Sequence, residues 1–294
     1  MFNLKELKTL ITVVDEAGFE AAAKTLCLST GAVSQRIRSI EDSIGKALLI
    51  RSSPPKLTPT GEQVIQFARQ VQLLHNDMIS TISEQTTNSK LAIAVNHDSL
   101  ICWIMPIVNQ LIQEYQVAID IRSADNLSTQ NLLKNGTVMG AVTAHKTQVS
   151  GCKIRELGAL EYQVVCSKKF AKKYFQKGVD QTSLLTAPVM FYDREDHSLD
   201  SFLTEHKLSR NSLSKNYIPG SHELLNAVYH DSGWAAIPKL LLEKSINSDD
   251  LVVLNNQPIA VTLYWKTWDL SSQTMDLVTK MIVAKSKKYL AQSE

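Results

Sequence analysis

Two unlike halves are predicted from this chain: a short α-helical unit with a β-wing and a linker helix, then a longer α/β unit of two lobes. Three observations predict that division. Before Ser83, apolar residues recur at spacings of three and four, the period of amphipathic helices. The segment Ser83–Lys90, SEQTTNSK, is polar and lacks an apolar period, so it reads as a linker. From Leu91 onward, aliphatic strand-like runs alternate with helical ones, the pattern of an α/β fold. The chain has 294 residues, enough for two or three domains. The division expected is residues 1–60, 61–89 and 90–294.

In the first helix, Leu4, Leu7, Ile11 and Val14 share one face over residues 3–17. Asn3 is placed to cap its start and Gly18 to end it. Ala21–Leu26 is a second, short helix, and Cys27-Leu28-Ser29 is a tight turn. Ser29 is placed to cap a third helix, whose inward residues are Val33, Ile37, Ile40 and Ile44 and whose C-terminal glycine is Gly45. Helix, short helix, turn, helix is the order of a helix-turn-helix. The outer face of the third helix carries Thr30, Ser34, Gln35 and Arg38, with Arg36 at its margin. Base edges and phosphates call for hydrogen-bonding and cationic groups of this kind. A solvated face on a three-helix bundle explains the same periodicity equally well.

Leu48–Ile50 is a short strand, Ser52–Pro55 a turn and Lys56–Leu57 the return, so Arg51 and Lys56 flank a small wing. An ordinary surface turn is the plainer reading. Thr58 caps the next helix, with Pro59 at its first position. Along it Val64, Phe67, Val71, Leu74 and Met78 alternate by three and four. So narrow a seam fits pairing with a second copy of itself, and packing on its own domain is the alternative.

In the second half, LAIAV, VAIDIR, MGAVTA, EYQVVCS, APVMFY, GWAAIP and AVTLYW are strand candidates. Helical runs separate them, Pro106 bends the first of these, and a helix over Gln273–Leu290 closes the chain. The expected arrangement is a mainly parallel sheet in two lobes, with ligands at the carboxyl ends of strands between them.

Composition narrows function by exclusion. A formal net charge of +2 means that any nucleic-acid binding rests on a local arrangement of charge. No phosphate-cradling glycine loop, metalloprotease helix or nucleophile elbow occurs, and the seven histidines are not paired at metal-ligand spacing. No enzyme, cofactor or metal is expected. The four cysteines form no CxxC and read as buried thiols in a reducing compartment. The acid-interrupted N-terminal helix is neither a signal peptide nor an anchor, and no apolar run approaches the ~20 residues of a spanning helix. A cytoplasmic protein without membrane contact is therefore expected.

Gly18-Phe19, Ala22-Ala23, Leu26, Ser29, Ala32-Val33-Ser34, Ile37, Glu41, Gly45, Leu48, Arg51, Leu57-Thr58 and Gly61 stand in a specific order. That order resembles the N-terminal signature of LysR-type transcriptional regulators. The rest of the chain is similar in length and strand order to that family's two-lobed, periplasmic-binding-protein-like effector domain. Pro54-Pro55, Ala94–Leu100, Gly140–Val142, Leu157–Tyr162 and Leu263–Trp265 resemble its arginine/lysine-responsive ArgP subgroup. The chain departs from the pattern at Thr30-Gly31, where glutamine and a small residue are usual, and at Leu49, where phenylalanine is frequent. Ala124 and Asn126 stand where the subgroup has acidic residues.

The resemblance implies a regulator that binds double-stranded operator DNA as a homodimer or homotetramer, joined through its linker helices, and that contacts RNA polymerase. Two recognition helices would enter successive major grooves, with Arg36, Arg51 and Lys56 on phosphates. A small effector, a lysine or an arginine, would sit between the lobes. An amino acid there needs donors for its carboxylate and acceptors for its cations. Ser99 and Thr129, near helix starts, are the candidates for the first role. Asp98, Asp125, Asp193 and Glu223 are the candidates for the second, with solvated charges or helix caps as the plainer reading. The alternatives are another metabolite, an oxidant sensed through Cys102 or Cys166, a solute-binding protein, or a nucleoid-architectural protein.

Overall fold

The computed structural model describes residues 3–50, 52–83, 90–124, 126–245 and 250–292. Three helices open the chain: α1 (Leu4–Asp15), α2 (Phe19–Thr25) and α3 (Thr30–Ile44). Asn3 and Glu6 form a capping box on α1, each side chain accepting from the other residue's N–H. Ser29 Oγ caps α3 by accepting from Ala32 N at 3.1 Å, and Gly45 ends it in the left-handed conformation. Gly18 closes α1 by donating its N–H to the Val13 carbonyl at 3.2 Å and also starts α2, while Ala17, φ 51°, takes the left-handed position after the Glu16 cap. The inward residues Leu10, Val13, Val33, Ile37 and Ile40 are buried in one small core.

The wing is an antiparallel hairpin of β1 (Leu49–Ile50) and β2 (Lys56–Leu57). Glu41 on α3 holds its base by accepting from Leu48 N at 2.8 Å. Next comes α4 (Pro59–Ser83), whose Thr58 cap accepts from Gly61 N at 3.0 Å. Gly61 is required there, because a Cβ would collide with the Leu48 carbonyl oxygen.

α4 packs on both halves. Ile65 and Ala68 belong to the core of the three-helix unit, whereas Leu73 belongs to the core of the second half. An ion pair of 2.5 Å joins Arg69 to Asp15 on α1. Of the predicted linker Ser83–Lys90, Ser83 ends α4, Lys90 is the first residue of the next strand, and residues 84–89 lie outside the described residues.

The second half begins with β3 (Lys90–Asn96), α5 (His97–Ser99), a π-helical turn (Leu100–Ile104), α6 (Met105–Tyr115), β4 (Ala118–Ala124) and α7 (Asn126–Lys134). It continues with β5 (Gly140–Thr143), the long β6 (Cys152–Ser167), α8 (Lys168–Tyr174), α9 (Gln181–Thr186), β7 (Val189–Phe191) and α10 (Asp200–Glu205). A 3-10 turn (Arg210–Ser212), β8 (Lys215–Tyr217), α11 (Ser221–Tyr229), β9 (Ala235–Pro238) and α12 (Lys239–Glu243) follow. β10 (Leu251–Val253), β11 (Ile259–Trp268) and α13 (Gln273–Tyr289) complete it.

The main sheet runs β10–β6–β11–β5–β3–β4, with β9 also on β6, and β7 pairs with β8 in a small parallel sheet. The expectation of a mainly parallel sheet is corrected here. Among the described residues of the main sheet only β4–β3–β5 pair parallel, whereas β6, β9, β10 and β11 pair antiparallel. The reason is that β6 and β11 cross between the lobes as extended strands rather than as helical crossovers. Cys152–Tyr162 of β6 pairs with β11, and Tyr162–Ser167 pairs with β9 and β10. The first half of β6 escapes sequence reading because Lys153, Arg155 and Glu156 interrupt its apolar pattern. Gly158 at its centre has φ 115°, where a Cβ would lie 2.6 Å from the Ala291 carbonyl oxygen of the closing segment.

One buried carboxylate ties α4 to this domain. Asp77 accepts from Ser272 Oγ and Thr274 Oγ1, each at 2.6 Å, at the start of α13. A carboxylate at a helix N-terminus is favoured by the free N–H groups and the helix dipole.

Candidate DNA-contact and effector sites

The outer face of α3 is the first candidate surface. Thr30, Gln35 and Arg38 are exposed, and Ser34 is half-buried. Val33, Ile37 and Ile40 anchor the opposite face, which fixes the direction of the exposed side chains. Arg36 is turned partly inward: it is half-buried and donates to Thr9 Oγ1 at 3.2 Å. Lys56 is exposed on β2, and Arg51 lies outside the described residues.

The seam on α4 divides. Phe67, Leu74 and Met78 are 49%, 40% and 51% exposed, and Ile82, absent from the predicted seam, extends the row at 73%. Val64 and Val71 are half-buried and pack against the core of their own domain. They lie on the edge of the stripe that faces the three-helix unit, which packs beside the first half of α4.

The second candidate is a cleft of about 420 Å³ between the lobes of the α/β domain. One wall comes from the ends of β3 and β5, with Asn96, His97, Asp98 and His145. The floor comes from the crossing strands, with Tyr162, Ala260 and Val261. The other wall is the segment after β7, Tyr192 to Ser198, which brings Asp193, Glu195 and Asp196. Among the described residues, the lining therefore holds four carboxyl groups and no lysine or arginine.

Asp98 joins the lobes. Its carboxylate accepts from Tyr162 OH at 2.6 Å, on the crossing strand β6, and from Ser221 Oγ, the first residue of α11 in the second lobe. Burial raises its pKa, and the two hydrogen bonds work in the opposite direction. The Tyr162 hydroxyl is pushed well above its ordinary value by burial and by the Asp98 charge. His97 and Tyr192 face each other across the opening, ring centroids 5.6 Å apart. A third link lies behind. Pro106 has no N–H for the carbonyl four residues back, and that carbonyl, Cys102, accepts from Lys244 Nζ at 2.8 Å.

Of the predicted effector residues, Asp98 and Asp193 line the cleft. Ser99 is wholly buried one residue behind the wall, and its Oγ has no hydrogen-bond partner among the described residues. Thr129 is buried in the first turn of α7, away from the lining. Asp125 lies outside the described residues. Glu223 is corrected: it is exposed in the first turn of α11, and its carboxylate folds back toward Gly220 at the helix start. A carboxylate in a first turn is favoured by the helix dipole, and this one stands outside the cleft lining.

Sequence reading missed Asn96, His97, Tyr162, Glu195 and Asp196. Two of these pairs adjoin predicted acids, Asn96-His97 before Asp98 and Glu195-Asp196 after Asp193, so a search of neighbours would have found them. Tyr162 carried no chemical signal of its own, although it ends the Leu157–Tyr162 stretch that resembles the subgroup.

The buried thiols are poorly placed to sense oxidants. Burial pushes Cys102 and Cys166 up to about 12 and Cys152 up to about 11, whereas Cys27 is exposed. A thiolate, not a thiol, reacts with peroxide.

A helix-turn-helix with a wing, a long connecting helix and a two-lobed sensing domain together define a ligand-responsive DNA-binding regulator. Residues 4–62 match the model of the bacterial regulatory helix-turn-helix protein, lysR family, and residues 84–282 match the LysR substrate binding domain. The chain belongs to the LysR family of transcriptional regulators. It is 33% identical over 292 residues to the HTH-type transcriptional regulator ArgP of Klebsiella pneumoniae, covering 99% of this chain and 98% of that one. Its structure is similar to that of ArgP from Mycobacterium tuberculosis, with TM-score 0.86 and 27% identity over 98% of each chain. Full-length LysG from Corynebacterium glutamicum with bound effector Arg is similar at TM-score 0.77 and 28% identity, over 98% of this chain and 99% of that one. No helix among the described residues is long and apolar enough to cross a membrane.

Proposed function

We propose that this chain controls transcription in response to a basic amino acid, lysine or arginine, held between the lobes. The observation that carries the reading is the charge of the cleft, four carboxyl groups with no lysine or arginine among the described lining residues. Such a lining favours a ligand with more than one cationic group, and the arginine bound to the similar LysG is of that chemistry. The volume suits a small metabolite.

On the DNA side, Thr30, Ser34, Gln35 and Arg38 read base edges, and Arg36, Arg51 and Lys56 meet phosphates. The functional division is residues 1–60 for DNA, 61–89 for pairing and 90–294 for the effector. Phe67, Leu74, Met78 and Ile82 form the pairing stripe of a homodimer or a homotetramer. The protein acts in the cytoplasm, is not an enzyme, and acts with RNA polymerase. An effector alters DNA binding only by favouring one arrangement of the assembly over another.

Calorimetric titration of the full chain with L-lysine and L-arginine, with L-glutamate as control, tests the effector. Saturable binding of a basic amino acid and none of glutamate is expected. Absence of binding by both basic amino acids overturns the effector assignment and leaves the family membership intact.

A further inference from the structure

The wall formed by Tyr192 to Ser198 carries three of the cleft's four carboxyl groups: Asp193, Glu195 and Asp196. Like charges gathered on one short segment repel each other, and a connecting loop has few backbone partners of its own. The segment uses its acids to organise itself. Asp193 accepts from Glu195 N at 2.7 Å, and Asp196 accepts from Tyr192 N and Ser198 N at 2.9 Å each. These bonds shape the turn, while Arg194 over the Tyr217 ring, 5.2 Å from its centre, and His197 on Asp200 at 2.7 Å join it to β8 and α10.

Arg210 ties it down. It belongs to the 3-10 turn before β8, outside the cleft lining. Its Nη1 donates to the Arg194 carbonyl at 3.0 Å and its Nη2 donates to the Asp196 carbonyl. The guanidinium also lies over the Phe191 ring, 4.4 Å from its centre, at the end of β7. One half-buried planar cation thus grips two carbonyls of the acidic turn and stacks on the strand from which the turn leaves.

We infer that Arg210 is a positioning residue for the effector: it holds the acidic turn of the second lobe in the geometry that reads a ligand's distal cation. It touches no ligand and acts only through the turn. The selectivity part of this inference rests on the basic-effector reading, and the placement of the turn does not. A lysine at this position keeps the charge but loses the forked grip and the planar stack, so charge and geometry can be separated.

The test uses the full chain with Arg210→Ala and Arg210→Lys. Hydrogen exchange of the 192–198 amides is expected to speed up at least about tenfold in Arg210→Ala, with α1 to α3 unchanged. Binding of L-lysine is then compared with that of L-norleucine, an amino acid of similar length without the distal cation. The lysine-to-norleucine preference is expected to fall about tenfold in Arg210→Ala and to recover in part in Arg210→Lys. A general loosening of the domain would weaken both ligands alike and leave the ratio unchanged, which overturns the selectivity role. Unchanged exchange in the 192–198 segment overturns the positioning role, and that measurement decides it even where wild type binds no basic amino acid. In that last case the effector reading fails by itself.

Discussion

The recognition surface and the effector cleft are both polar surfaces backed by an apolar core, yet they are assembled over very different distances along the chain. Thr30, Gln35 and Arg38 leave a single helix whose inner residues Val33, Ile37 and Ile40 fix their direction. The cleft gathers residues from five separate stretches, and the Asp98–Ser221 hydrogen bond joins residues 123 apart. The first surface is a property of a helix and its support. The second exists only once two lobes and two crossing strands have come together. Damage to the first should therefore stay local, whereas damage to the second should be felt in ligand binding and stability together.

The largest expected effect breaks the support of the first surface. Ile40 is fully buried in the small N-terminal core, so Ile40→Ala should cost that unit about 2–5 kcal/mol. Operator binding should fail on warming while effector binding persists, as followed by anisotropy and calorimetry at matched temperatures. Loss of both together would mean that the two halves unfold as one.

Arg38→Ala removes an exposed cation without touching that core. Thermal stability should be unchanged, and operator affinity should fall by about 1–3 kcal/mol, read by anisotropy at fixed salt. Wild-type affinity in this variant would displace the recognition surface from the outer face of α3.

Asp98 sharpens the other side of the comparison. Its folded pKa is raised by burial, so the folded protein holds this proton more tightly than the unfolded chain. Its contribution to stability is therefore greatest at acid pH and declines as pH rises from the usual carboxylate value through the raised one. Asp98→Asn should flatten that part of the stability–pH curve in denaturant titrations and weaken binding of a cationic effector. An unaltered curve would mean that Asp98 titrates as an ordinary carboxylate.

The smallest effect concerns the thiols. Alkylation of the folded protein at neutral pH should modify Cys27 and spare Cys102, Cys152 and Cys166, as peptide mass mapping would show. Rapid labelling of Cys102 or Cys166 would restore the oxidant-sensing alternative.

Much of the N-terminal unit was legible because its determinants are close in sequence. Ser29, Gly45, Thr58 and Pro59 mark helix ends by groups that act within one turn. In the α/β domain the same reasoning located β3, β4, β5, β9 and β11 from their aliphatic runs. It failed on the first half of β6, whose charged residues face outward, and on sheet direction, which depends on how chains cross rather than on what a strand contains. Within the cleft, Asp98 and Asp193 were found as acids near strand ends. Glu223, another acidic candidate, stands exposed in the first turn of α11, outside the cleft lining.

Family membership, helix order, the inward and outward faces of α3 and the general lobe plan followed from residue pattern alone, because each rests on local periodicity or on a motif with fixed spacing. Only the folded chain decided which acids meet, that Tyr162 and Ser221 converge on Asp98, that Asp77 locks α4 to α13, and that Arg210 backs the acidic turn. Hydrogen bonds and ion pairs between distant segments leave no period in the sequence, since either partner alone looks like any other polar residue until the backbone brings the two within reach.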